Sequence, residues 1–358
     1  MDKCNVLKKN GKRIEVDRED EVYVGLDVHT SHINVTVRLN DQEAAKWMSP
    51  PEPAQLIKSL MPIRDAARKV VYEAGPCGFE LYRELKKAGF PAEVWPPGKM
   101  PRPANQGNKT DRLDASTLAT YAEKDLVKPI VVPTRREEAE RQVMRTRNQL
   151  MKKLRRVKQQ IKSFLTMHGI EQPEGLGHWT RAAVGRLRRL PLRDGLRTCL
   201  DVLVDELTSL EDLVKTVEKK LRDIGRSEKH ADSEKILRSH PGIGRLTAMN
   251  FMLEVYRPER FEVHRQVSTF VGLVPRVSQS GDTRRDGPLK RAGRESLRAM
   301  LVQAAWQWVR RDARANKIYQ RLVGNTGCAQ KAIVGMTRKI CVNLWCMWTR
   351  GEYYRPDG

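Results

Sequence analysis

The chain has 358 residues, 67 of them Lys or Arg against 44 Asp or Glu, giving a formal charge of +23 and a pI near 10.0. A basic excess of that size makes a polyanion the natural partner, and the length excludes a single small module, leaving room for roughly two or three domains of about 150 residues. Six scattered cysteines (Cys4, Cys77, Cys199, Cys328, Cys341, Cys346) lack zinc-site spacing and read as reduced thiols; with no leader-like start and no membrane-length apolar run, we expect a cytoplasmic protein.

Residues 1–20 are polar and charged and read as a flexible basic arm, so the ordered fold is expected to begin near Glu21. From there the pattern predicts strands at 22–27 and 33–39, a shorter strand around 44–48 and a helix over 53–60. Next come a strand at 69–73, a helix near 79–88, a strand at 92–95 and a helix over 111–124. A strand-rich meander followed by alternating helix and strand implies a mixed sheet flanked by helices, over 21–134. Within it, 96–109 is rich in Pro, Gly, Lys and Asn and reads as a loop beside a site or an ordinary connection.

After Pro133 the period changes. Leu150, Leu154, Val157, Ile161 and Phe164 repeat at steps of four and three, as do Leu196, Leu200, Leu203, Leu207, Leu210, Val214, Val217, Leu221 and Ile224. These seams predict a coiled-coil region over 135–228, folded back on itself or zipped against other subunits. Arg141, Arg145, Arg147, Lys152, Lys153, Arg155, Arg156, Lys158 and Lys162 give the first helix a one-signed excess suited to phosphate. The stretch 169–192 carries no recognisable motif.

In the third segment, 229–358, Pro241-Gly242-Ile243-Gly244 looks like a helix-hairpin-helix turn, in which Gly242 and Gly244 would let backbone amides approach a phosphate. Further on, a turn-rich loop holds Ser278, Ser280 and Gly281 among Arg276, Arg284, Arg285, Lys290, Arg291, Arg294 and Arg298. Those cations could clamp a phosphate and Ser280 could attack it, although a Ser-Gly pair in a loop is by itself more often a turn.

Four carboxylates carry the chemistry. Asp27 ends the run Val22-Tyr23-Val24-Gly25-Leu26, Glu73 ends Val70-Val71-Tyr72, and Asp111 and Asp114 stand three apart at an expected helix start, hence on one face. Singly, each reads as a surface or capping residue. As a set converging over one sheet they would repel one another without a cation, and hard oxygen ligands suit Mg²⁺, so strand chemistry on nucleic acid is the leading reading. His29, His178, His240 and His264 lack ligand spacing and read as structural or surface residues.

Taken in order, Gly25-Leu26-Asp27, Tyr72-Glu73-Ala74-Gly75-Pro76, Lys109-Thr110-Asp111-Arg112-Leu113-Asp114-Ala115, Pro241-Gly242-Ile243-Gly244, Gly272-Leu273-Val274-Pro275, Ser280-Gly281 and 293–298 resemble the insertion-sequence "one-ten" family of DEDD transposases. The resemblance implies a ribonuclease-H-like (resolvase-like) domain, a coiled-coil stalk and a helical C-terminal transposase domain. By motif it makes Asp27, Glu73, Asp111 and Asp114 the metal ligands and Ser280 the catalytic nucleophile, with Ser278 as the fallback. It further implies a homo-oligomer, a dimer or tetramer, in which the acidic site of one subunit meets the serine of another. A bridge-type non-coding RNA would pair with donor and target DNA, and the protein would be associated with the nucleoid. Two rivals make different demands: a junction-specific endonuclease would use the quartet and water alone, and a non-catalytic scaffold would need neither centre.

Overall fold

A computed structural model describes residues 5–9, 12–97, 114–280, 283–289 and 293–356. Asp111, Lys290 and Arg291 therefore lie outside the described residues, as do the side chains of Arg276, Ser278, Ser280, Arg284 and Arg285. The chain divides into two compact units, 1–132 and 133–358.

In the first unit, β1 (Asn5–Lys9) and β2 (Lys12–Val16) pair as an antiparallel hairpin. This corrects the expectation of a loose arm. Leu7 and Val16 are buried in the same core as the main sheet, and the charged residues between them masked that short apolar pattern. The main sheet comprises β3 (Val22–Val28), β4 (Ile33–Leu39), β5 (Gln42–Ser49), β6 (Ala67–Glu73) and β7 (Ala92–Trp95). Its order is β5-β4-β3-β6-β7. The first three strands run antiparallel as a meander, and β6 and β7 extend it parallel to β3.

Period-2 alternation decides the two faces. Val22, Val24, Leu26, Val70 and Tyr72 point into a core closed by α1 (Pro53–Leu60), the 3-10 turn Met61–Ala66 and α2 (Glu80–Lys87). Tyr23, Val71 and Trp95 point to the opposite face, covered by α3 (Ala115–Glu123) through Leu118 and Ala122. Gly25 permits that cover: a Cβ there would lie 2.0 Å from the Ala115 carbonyl oxygen and 2.5 Å from the Ala119 nitrogen, so only glycine lets α3 rest on β3.

The second unit opens with α4 (Arg135–Met167), started by a Thr134/Glu137 capping box. It pairs antiparallel with α6 (Asp194–Gly225), with rungs Lys158–Glu211 and Arg147–Glu218. Leu154, Val157, Ile161, Leu200, Val204 and Leu207 fill the seam. The stretch between them, unassigned from sequence, folds α5 (Arg181–Leu187), whose Ala183 and Leu187 close the end of that seam.

The remaining elements are α7 (Ala231–Arg238), α8 (Arg245–Val255), α9 (His264–Val271), a ribbon of β8 (Pro275–Ser280) and β9 (Thr283–Leu289), α10 (Glu295–Arg311), α11 (Ala313–Thr326) and α12 (Ala329–Arg350). Met144 of α4 and Leu221 and Ile224 of α6 share one core with these helices, so stalk and C-terminal segment form one unit. Where a turn-rich loop was expected, the serine region is a two-stranded antiparallel ribbon, which qualifies the all-helical expectation for this segment. No helix among the described residues is long and apolar enough to cross a membrane.

Candidate active site

Asp27 and Glu73 each follow the last registered pair, Leu26↔Tyr72, of the neighbouring parallel strands β3 and β6. They therefore stand side by side at the carboxyl ends of two strands about 4.8 Å apart, where open α/β sheets place their ligands. By strand alternation both belong to the face under α3. Asp114, the third described acid of the expected set, is the N-cap of α3, and its Oδ1 accepts from the Thr117 amide at 2.8 Å. Burial alone would raise the Asp114 carboxyl, but the Thr117 amide and side chain, helped by Lys46, outweigh it and hold the group below the usual carboxylate range. Gly25 draws the start of α3 onto β3 two residues before Asp27, on the face to which Asp27 and Glu73 belong.

These are hard oxygen donors without a thiolate among them, a set that fits a divalent cation. Among the described residues no three His, Cys, Asp or Glu close into an ion-sized cluster, and Asp111, the fourth expected ligand, lies outside them.

His29 is the residue that the sequence reading missed. Its Nε2 donates to Asp27 Oδ2 at 2.8 Å, and Asn34, opposite Asp27 in the β3–β4 register, approaches the same oxygen at 3.4 Å. The His29 ring stacks on His32 at 4.6 Å, and Ser31 Oγ lies 2.9 Å from His32 Nδ1. The usable signal was proximity, because His29 stands two residues past Asp27 in the turn just beyond β3, and a ring nitrogen that bonds a carboxylate fixes how that carboxylate points.

In the second unit Ser280 is the last residue of β8 and pairs with Thr283 at the far end of the ribbon, while Ser278 pairs with Arg285 and Gln279 with Arg284. Gly293 anchors the near end. It has φ +112, and a Cβ there would stand 2.8 Å from the Gly272 nitrogen. Two of the expected phosphate clamps are engaged within their own unit: Arg294 Nε pairs with Glu254 at 3.1 Å, and Arg298 reaches the Gly272 carbonyl at 3.4 Å.

The helix-hairpin-helix expectation needs correcting at Gly242. With φ +88, that residue makes its close approach to α10, where a Cβ would meet the Ala304 carbonyl oxygen at 2.6 Å; the room made by the missing side chain is filled by protein. Gly244, the N-cap of α8, has open space around it and keeps the amide-rich helix start available. Beside this turn His240 is buried, bonded to the Pro241 carbonyl and to Asn343 and packed on Trp308 and Tyr354; burial pushes its pKa down to about 4.

Residues 24–170 match the DEDD transposase family of IS110, and residues 234–320 match the family described as Transposase IS116/IS110/IS902. The chain is 30% identical over 302 residues to the putative transposase y4rJ of Sinorhizobium fredii, covering 77% of this chain and 76% of that one. It is 28% identical over 294 residues to the transposase for insertion sequence element IS1533 of Leptospira borgpetersenii, covering 80% and 85%. Against the putative transposase y4qE of Sinorhizobium fredii it is 30% identical over 240 residues and spans 57% of that protein's length.

Proposed function

Since this chain belongs to the IS116/IS110/IS902 family of transposases, enzymes that cut and rejoin DNA, we propose that it mobilises an insertion sequence by strand exchange at a divalent-cation site on Asp27, Glu73, Asp111 and Asp114, with Ser280 as nucleophile. The observation that carries this reading is Asp27 and Glu73 side by side at the carboxyl ends of β3 and β6, with Gly25 shaped to admit onto the same face the helix that Asp114 caps. An antiparallel meander extended by two parallel strands supports a ribonuclease-H-like sheet.

Mg²⁺ suits these donors and, when bound, supplies charge neutralisation at the phosphate oxygens. His29 and Asn34 set the direction of the Asp27 carboxylate before any substrate arrives. Ser280, at the far end of a two-stranded ribbon, can be presented beyond the body of its unit. Its Oγ–P bond forms as the phosphorus–oxygen bond to one DNA strand breaks, and the serine proton ends on the departing strand oxygen, which leaves as a hydroxyl. The phosphoserine link conserves the bond energy for rejoining.

A homo-oligomer, dimer or tetramer, in which the acidic face of one subunit meets the serine of another, completes this reading. A net charge of +23, with α4 strongly basic, suits gripping backbones while a bridge-type RNA pairs with donor and target DNA.

The test is strand cleavage on donor and target DNA with the element's flanking non-coding RNA and titrated Mg²⁺. Asp27→Asn is expected to lower cleavage by roughly 100-fold or more while the protein still binds DNA. Undiminished cleavage by that variant contradicts the proposed cation site.

A further inference from the structure

At the root of the β8–β9 ribbon the C-terminal unit gathers four arginines around one carboxylate. Glu254, 3% exposed at the end of α8, accepts from Arg145 Nε at 3.2 Å and pairs with Arg294 Nε at 3.1 Å. Arg141, one turn before Arg145 on α4, is only 5% exposed. Its guanidinium stands 5.0 Å from the centre of the Tyr256 ring, within the attraction of the Glu254 carboxylate. Arg260 is caged by Tyr256, Phe261 and Phe270 at 4.2, 4.5 and 4.4 Å. One amino group donates to Tyr256 Oη at 3.0 Å, while Nε and the other amino group are buried without an acceptor. Tyr256 itself holds φ +46, a conformation that an aromatic residue adopts only under constraint.

The neighbouring Arg257 is matched by Glu137 at 2.9 Å, so it adds nothing to the imbalance. Among the described residues, four guanidiniums share one carboxylate in a largely buried place. Such an arrangement is costly unless a counter-ion completes it. Burial, with the neighbouring guanidiniums adding, lowers Arg141 below its ordinary value and Arg260 to about 10, the electrostatic sign of that shortage.

We propose that Arg141, Arg145, Arg260 and Arg294 form a phosphate-binding site whose ligand is a backbone phosphate of nucleic acid. Guanidiniums pair with phosphate oxygens in a planar, bidentate manner that a small halide cannot reproduce. The side chains of Arg145 and Arg294 are each 38% exposed and give the anion its entry, with Arg141 and Arg260 lying deeper. Phe270 precedes β8 and Arg294 follows β9, so a strand gripped here is held at the base of the ribbon that carries Ser280. The site rests on the chain handling nucleic acid and is independent of which residue is the nucleophile.

Inorganic phosphate titrated into the full chain at constant ionic strength, with chloride as reference, tests the anion site. A saturable rise in Tm of about 3 °C is expected at ten times the Kd. Arg141→Met is expected to abolish that rise while melting no lower than wild type in chloride, because a buried cation has been removed. Lys220→Met, at an exposed lysine on α6, keeps the rise. On duplex DNA, Arg141→Met lowers the slope of log affinity against log salt by about one.

Equal effects of phosphate and chloride on wild type overturn the site, and so does a rise that survives Arg141→Met. A lost rise with an unchanged DNA salt slope overturns the nucleic-acid assignment. Arg260→Met is the second variant where Arg141→Met does not fold. Ser280→Ala retains the phosphate response, which separates failure here from failure of the nucleophile assignment.

Discussion

Gly25 of β3 and Ala115 of α3 are in direct backbone contact: a single added carbon on Gly25 would lie 2.0 Å from the Ala115 carbonyl oxygen. That contact fixes the height of α3 over the sheet, and with it the position of Asp114 relative to Asp27. Strand and helix must part to admit any side chain.

Gly25→Ala is therefore expected to cost about 3 kcal/mol or more, the upper range for overpacking a filled interior, and to abolish strand cleavage even where the protein still folds. Urea unfolding of wild type and variant measures the first, and a cleavage assay the second. A stability change within about 0.5 kcal/mol would mean that α3 does not rest on β3 as described.

Asp114 carries both a cap and a site role, and two substitutions separate them. Asp114→Ala removes the cap and is expected to cost about 1 kcal/mol along with cleavage, whereas Asp114→Asn keeps a capping oxygen and loses cleavage alone. The Asp114 carboxyl is held below its ordinary value, so its contribution is present above the ordinary carboxylate pKa and is lost as pH falls below it. The stability difference between wild type and Asp114→Ala is expected to shrink on acidification through that range, and a difference that grows would contradict the assignment.

His240 gives a second pH dependence, in a higher window. With its folded pKa near 4 against an ordinary 6.5, the folded chain keeps the ring neutral while the unfolded chain protonates it. The stability this contributes is complete above pH 6.5 and falls away toward pH 4, by about 3 kcal/mol in all. Denaturant unfolding at pH 7.5 and pH 4.5 is expected to show wild type losing more stability than His240→Gln. Parallel profiles would place His240 outside this titration.

Much of this was legible in the sequence because the signals are local. Alternating apolar residues marked β3, β4, β6 and β7, and steps of four and three marked α4 and α6. Asp27 and Glu73 announced themselves by ending such runs. The β1–β2 and β8–β9 hairpins were not seen as strands, since Lys, Arg and Glu crowd the first and Ser, Gln and Arg the second, leaving little apolar alternation to read. Gly242 was seen as a tight turn, but turn chemistry does not say what approaches it, and α10 comes from more than fifty residues away. Arg141, Arg260 and Arg294 are likewise scattered along the chain and meet only through tertiary packing.

The assignment of Ser280 is tested most directly by trapping protein on cleaved DNA. The wild-type chain, incubated with Mg²⁺ and a nicked or mismatched substrate that cannot religate, is expected to yield a denaturant-resistant protein–DNA adduct whose linkage maps to Ser280, and Ser280→Ala is expected to yield none. An adduct of equal yield from Ser280→Ala, or cleavage by wild type with water as the only nucleophile, would contradict it.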